Sequence, residues 1–200
     1  MRSKSMTLMA CIVLAASIPA LAAAPGTGAP DFTIADTAGK PVKLADYRGK
    51  FVVLEWTNPE CPFVRKHYNS NNMQGLQKEW SGKDVVWLTI NSTNASHSEF
   101  KSPDEMASWM RAQGAASKAT LIDGTSATAR AYSAKTTPHM FVVDPTGKLV
   151  YNGAIDDKRS SNTADVKTAN NYVRAALTEA TAGKPVTVAS TAPYGCNLKY

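Results

Sequence analysis

One short stretch gathers the residue types that could carry electrons or protons. In Trp56-Thr57-Asn58-Pro59-Glu60-Cys61-Pro62-Phe63-Val64-Arg65 a thiol lies between a carboxylate and a proline, with a hydroxyl four residues before it and a guanidinium four residues after. Pro62 suits the first turn of a helix, where its missing N–H costs nothing, so Cys61 stands at a helix amino terminus. A thiolate there faces unpaired backbone N–H groups and the positive end of the helix dipole, which stabilise it as a nucleophile. Arg65, four residues on, shares that helical face and adds a second cationic influence, and Thr57 is placed to donate its hydroxyl to the sulfur. The plainer alternative is a small core residue, since an unpaired cysteine beside an apolar strand often packs as a hydrophobe. Glu60 opposes the helix if it is close, because its charge repels a thiolate. Glu55 is either a proton acceptor or a side chain pointing to solvent at the end of its strand.

The chain of 200 residues has two other cysteines, Cys11 and Cys196. Cys11 falls within a basic, then apolar, then small-residue segment ending at Ala20-Leu21-Ala22, which reads as a secretory signal peptide cleaved after Ala22. A lipobox at Leu8-Met9-Ala10-Cys11 is the competing reading, disfavoured because the apolar run lies mostly after Cys11. Export places Cys61 and Cys196 in an oxidising compartment, periplasmic or secreted, where thiols pair or do redox work.

The formal charge of +6 falls to +4 once Arg2 and Lys4 leave with the signal. Apart from Arg65-Lys66 and Lys158-Arg159 the basic residues are scattered, so nothing suggests nucleic acid as a partner. No second apolar run approaches the roughly 20 residues of a membrane span. The expected organisation is a signal peptide over 1–22, one domain over 23–183, and a tail over 184–200 carrying Cys196.

Several elements must position these residues. Residues 31–50 read as two short extended segments about Ala38-Gly39-Lys40 followed by a turn. Phe51 to Trp56 and Asp84 to Ile90 are continuous apolar, β-branched runs, the pattern of strands covered on both faces. Helices are expected from Pro62, with a polar break at Asn69 to Asn72, and from a capping box at Ser102-Pro103-Asp104-Glu105. A short strand at Ala119 to Ile122 and a short helix at Ser126 to Tyr132 precede a hairpin, Met140 to Val143 and Lys148 to Tyr151, around Asp144-Pro145-Thr146-Gly147. A last helix over about Asp165 to Ala180 turns Val166, Ala169, Val173, Ala176 and Leu177 inward and stops at Gly183. The alternation predicts an α/β fold with a mixed central sheet flanked by helices.

Four segments together resemble one family: APDFTIADTAGKPVKLADYRGKFVVLEW, NPECPFVRKHY, KTTPHMFVVDPTGKLVYNGAIDD and PYGCNLKY. They are similar to the redoxin branch of the thioredoxin-like superfamily, specifically exported peroxiredoxin-like proteins, across nearly all of the mature chain. The resemblance implies a thioredoxin-like fold with an amino-terminal hairpin extension. It matches Pro138 to the family's cis-proline beside the reactive cysteine, and Trp56 to the aromatic before the active-site loop. Two departures stand out. The residue three before Cys61, where a thioredoxin dithiol has its partner, is Asn58; and typical peroxiredoxins carry Pro-x-x-x-Thr-x-x-Cys, where this chain has Leu54 and Asn58.

Cys196 is then the remaining thiol able to resolve an oxidised Cys61. The extended stretch Lys184 to Pro193 reaches on the order of 30 Å, and such a distant partner resolves an oxidised sulfur to a disulfide. The alternative is a permanent staple, worth about 4 to 5 kcal/mol in the chain-entropy model. On the redox reading the substrate is a protein disulfide or a hydroperoxide, an external dithiol restores the reduced pair, and no cofactor is needed because sulfur carries the electrons. A Cu(I) site from Cys61, Cys196 and His139 is the alternative of a different class, with His67 and His97 expected at the surface.

Overall fold

The computed structural model describes residues 23–200; the expected signal peptide lies outside them. β1 (Thr33–Ala35) and β2 (Pro41–Lys43) pair antiparallel as the expected amino-terminal hairpin. A 3-10 turn over Leu44–Tyr47 then leads into β3 (Val52–Trp56). After β3 come α1 (Pro62–Asn69), α2 (Asn72–Ser81), β4 (Val86–Asn91), α3 (Pro103–Ala112), β5 (Ala119–Ile122) and α4 (Ala127–Ala131). The chain closes with β6 (Thr136–Thr137), β7 (His139–Val143), β8 (Leu149–Gly153), α5 (Tyr172–Thr181) and β9 (Cys196–Asn197).

The central sheet has the order β5-β4-β3-β7-β8. β3, β4 and β5 run parallel, and β7 and β8 are antiparallel to their neighbours, so the sheet is mixed as the alternation of elements requires. Every residue of β3 is buried, which is why its sequence is an unbroken apolar run apart from Glu55. Side chains alternate across it. Leu54 and Trp56 pack with Leu88, Ile90, Phe141, Tyr132 and the amino-terminal hairpin. Val53 packs on the opposite face with Cys61, Val64, Tyr68, Trp80, Val173 and Leu177, beneath α1, α2 and α5.

Local chemistry sets the element ends. Asn71 adopts a left-handed conformation and separates α1 from α2, as the polar break suggested. The capping box of α3 forms with both reciprocal hydrogen bonds between Ser102 and Glu105. The last helix differs from expectation. Thr163–Thr168 is a 3-10 turn, the backbone extends at Ala169, and Asn171 caps α5 by accepting from the Arg174 N–H. Val166 and Ala169 matched a helical period, but an asparagine cap starts the α-helix six residues later. No helix among the described residues is long and apolar enough to cross a membrane.

Candidate active site

Strand β3 ends at Trp56, and a turn in which the Cys61 N–H donates to the Asn58 carbonyl (3.1 Å) delivers Cys61 to the amino-terminal cap of α1. No side chain caps that helix, so the N–H groups of its first turn are left open next to Cys61. Cys61 is 1% exposed, and its thiol donates to the Thr137 carbonyl at 2.9 Å. The Thr137-Pro138 bond is cis.

The tail does not hang free. β9 pairs antiparallel with β6, placing Cys196 opposite Thr137 and Asn197 opposite Thr136. Gly195 lies flat on the same Thr137 carbonyl, with φ of 143° and no room for a side chain, since a Cβ would stand 2.0 Å from that oxygen. Two thiols 135 positions apart in sequence thus meet at one peptide unit, within hydrogen-bonding reach of each other and unbonded as free cysteines. Burial, then the hydrogen bond and negative charge of Cys61, push the Cys196 thiol up to about 12. Cys196 therefore holds its proton near neutral pH.

The other expected residues are placed as follows. Arg65 lies half exposed beside the turn, its Nε donating to the Pro59 carbonyl (2.7 Å) and its other nitrogen to Glu60 (2.6 Å). Lys101 pairs with the second Glu60 oxygen at 2.9 Å, so the carboxylate beside the thiol is held by two cations and its pKa is lowered by them. Thr57 is buried, but its hydroxyl makes no hydrogen bond among the described residues, to the sulfur or otherwise. His139 stands next to Pro138 with Nδ1 accepting from the Lys135 N–H. Among the described residues no three His, Cys, Asp or Glu side chains converge to hold a metal, so the copper alternative finds no three-ligand site.

Two buried polar clusters escaped the sequence. Glu55 does not point to solvent; it is fully buried and accepts from Trp87 Nε1 (2.8 Å), Tyr68 Oη (2.9 Å), Gln77 Nε2 (3.2 Å) and Thr89 Oγ1 (3.3 Å). Burial raises its pKa from 4.5 to about 7 against the lowering effect of those donors. A raised carboxylate pKa means that stability is lost as pH climbs from the unfolded value through the folded one. Relative to the parent, Glu55→Gln should gain on the order of 3 kcal/mol between pH 4.5 and pH 8, read from urea unfolding across that range. A pH-independent difference would contradict the burial of an ionising Glu55.

The second cluster joins the tail to α1. Lys66, His67 and Asp156 are each at most 1% exposed. His67, expected at the surface, is buried so thoroughly that its pKa falls to about 3, with the Lys66 charge adding to the effect. Tyr194, two residues before Cys196, inserts its hydroxyl among all three. No spacing rule finds such contacts, because they span 38 to 128 positions and the histidine and lysine sit in a helix that otherwise reads as amphipathic.

Comparison with known proteins gives a consistent picture. Residues 25–152 match the AhpC/TSA family. A curated relative, the thiol-disulfide oxidoreductase ResA of Bacillus subtilis, is 26% identical over 132 residues. That match covers 62% of this chain and 64% of the relative, so the chain spans a little under two thirds of the relative's length. Among solved structures, an uncharacterized conserved protein of Geobacillus kaustophilus superposes with a TM-score of 0.78 at 29% identity, over 89% of this chain and 93% of that one. The thioredoxin domain of a thiol-disulfide oxidoreductase of Bacteroides vulgatus superposes at 0.53 with 19% identity, over 72% of this chain and 96% of that one, which shows the thioredoxin-like fold.

Proposed function

The chain belongs to the AhpC/TSA family, and we propose that it is an exported thiol-dependent oxidoreductase in which Cys61 is the nucleophile and Cys196 the resolving thiol. One observation carries the reading: both cysteines lie against Thr137, the first by a hydrogen bond and the second by strand pairing.

The Cys61 thiolate attacks one sulfur of a protein disulfide, forming a mixed disulfide and expelling the other sulfur as a thiolate. Cys196 then gives up its proton to the expelled thiolate and attacks the Cys61 sulfur, releasing the second substrate sulfur as a thiolate that takes a proton from water, and leaving a Cys61–Cys196 disulfide. The substrate gains two electrons and the protein loses two, which an external dithiol protein returns by the reverse exchange. The open first turn of α1 stabilises Cys61 as attacking and leaving sulfur alike. Glu60 is paired with Arg65 and Lys101, which offsets the negative charge next to the nucleophile in sequence. Pro138 and Thr57 frame the sulfur from the neighbouring strand ends. With the tail docked Cys61 is covered, so a macromolecular disulfide reaches it only when β9 lifts from β6.

A disulfide is favoured over a peroxide as substrate because Leu54 and Asn58 replace the proline and threonine of the usual peroxidatic motif. The test follows the reduced protein with a disulfide-bonded protein and, separately, with hydrogen peroxide, in parent and Cys196→Ser. Rapid reduction of the disulfide by the parent, with a mixed disulfide trapped on Cys61 in the variant, is expected. Rapid formation of a sulfenic acid on Cys61 at low peroxide would reassign the substrate, and inertness toward both would refute the oxidoreductase reading.

A further inference from the structure

The tail is tied down at several points. The Leu198 N–H donates to the Lys135 carbonyl (3.0 Å), the Asn94 N–H to the Lys199 carbonyl (2.8 Å), and Tyr200 Oη to the Ala134 carbonyl (2.5 Å). Those contacts lie beyond Cys196 and involve neutral backbone groups. The contact before it, at Tyr194, is of another kind. Asn72 Nδ2 donates to His67 Nδ1 (2.9 Å), which leaves the proton of the neutral imidazole on Nε2. His67 Nε2 and Lys66 Nζ, each 3.3 Å away, then donate to the Tyr194 oxygen. The Tyr194 hydroxyl hydrogen goes to Asp156 Oδ1. A phenol has one hydrogen to give and two lone pairs to fill, and all three are used.

That satisfaction matters because the cluster is charged and dry. Lys66 Nζ lies 3.6 Å from Asp156 Oδ2, both side chains at most 1% exposed, and Lys66 also donates to the Lys158 carbonyl at 2.7 Å. Hydrogen bonds to charged groups at low dielectric are stronger than those between neutral groups. Tyr194 is also packed edge-on against Phe63 of α1, the second residue after Cys61, with ring centroids 5.9 Å apart. The phenol is therefore anchored to the same helix that carries the nucleophile, and a single glycine separates it from Cys196.

We propose that Tyr194 is the positioning residue of the redox pair: held by Lys66, His67 and Asp156, it fixes Gly195-Cys196 on Thr137 and so sets how strongly Cys61 and Cys196 hold a disulfide. The proposal rests on the reading of those two cysteines as an exchanging pair. The effective concentration of one thiol at another depends on how well the chain between anchor and thiol is ordered. Here that chain is one residue, Gly195.

The test is the equilibrium of the full chain with glutathione, in which protein dithiol and glutathione disulfide exchange two electrons and two protons to give protein disulfide and two glutathione. In Tyr194→Phe the equilibrium constant should fall roughly tenfold, whereas Tyr200→Phe, which removes a tail anchor outside the cluster, should stay within roughly threefold of the parent. Should Tyr194→Phe lack a cooperative unfolding transition, the double variant Lys66→Met/Asp156→Asn replaces both charged partners of the phenol by neutral ones without leaving a lone buried charge, and should show the same fall. An unchanged constant in Tyr194→Phe, or an equal fall in Tyr200→Phe, would overturn the assignment. A parent that forms no internal disulfide at any glutathione ratio would instead overturn the redox reading, and this inference with it.

Discussion

Cys61→Ser should fold like the parent and lose thiol-disulfide exchange by on the order of a thousandfold or more. Serine is close in size, the site is fully enclosed, and its hydroxyl can still donate to the Thr137 carbonyl that receives the thiol. Packing and the local hydrogen bond are therefore conserved while the nucleophile is lost, because an alcohol is not ionised to any useful extent near neutral pH. Cys196 cannot take over. Burial alone already raises its pKa, so its thiolate fraction near neutral pH is small. The measurement is reduction of a disulfide-bonded protein substrate under a regenerating dithiol, with thermal unfolding run alongside to confirm the fold. Residual activity within tenfold of the parent would show that Cys196 or another group is the nucleophile.

Lys66→Met is expected to be the most damaging single change to stability outside the apolar core. Methionine fills much of the volume of the aliphatic stem, so packing alone predicts a mild effect. The ammonium, however, is the cation that faces Asp156 Oδ2, an oxygen with no hydrogen bond of its own among the described residues. Removing it leaves a carboxylate buried with only part of its demand met, by Tyr194 and by the Lys158 N–H at 3.0 Å. Breaking a buried pair from one side typically costs about 3 to 5 kcal/mol, and urea unfolding of Lys66→Met should fall near the lower end because those two donors remain. Adding Asp156→Asn to Lys66→Met should recover a large part of the loss, since the uncompensated charge then disappears. A loss under about 1 kcal/mol would mean that water enters the cluster and screens it.

These expectations draw on features of very different visibility in the sequence. The mixed α/β sandwich is legible because its signals are local: a β3 that is apolar apart from Glu55, a proline after Cys61, a capping box at Ser102, and a hairpin turn at Asp144 to Gly147; the thioredoxin-like arrangement comes with the family resemblance. Each is a short-range preference that the folded chain has no reason to override. The last helix starts later than its periodicity predicts because Val166 and Ala169 fit a 3.6-residue period that the backbone abandons at Ala169, and the cap that starts the helix is Asn171 beyond it. His67 reads as a surface residue because polar residues usually belong there, and the sequence leaves Glu55 open between a proton acceptor and a solvent-facing side chain. Their burial depends on donors and acceptors contributed by α2, β4 and the tail, which meet only in three dimensions.

The site divides along the same line. Cys61 and its helix are readable from spacing, and the bearing of Cys196 follows from its being the other thiol beyond the expected signal peptide. That β9 would pair with β6 was not readable, because two-residue strands leave no periodicity. Nor was the anchoring of Tyr194, since a tyrosine in a polar tail carries no mark of the three buried partners waiting for it.

The most direct test of the account is peptide mapping of the full chain under non-reducing conditions after one equivalent of a small disulfide oxidant. The account predicts that the peptides containing Cys61 and Cys196 appear joined, two hydrogens lighter than their sum, and separate again on treatment with a dithiol. Two peptides carrying the oxidant singly and independently, with no joined species, would contradict it.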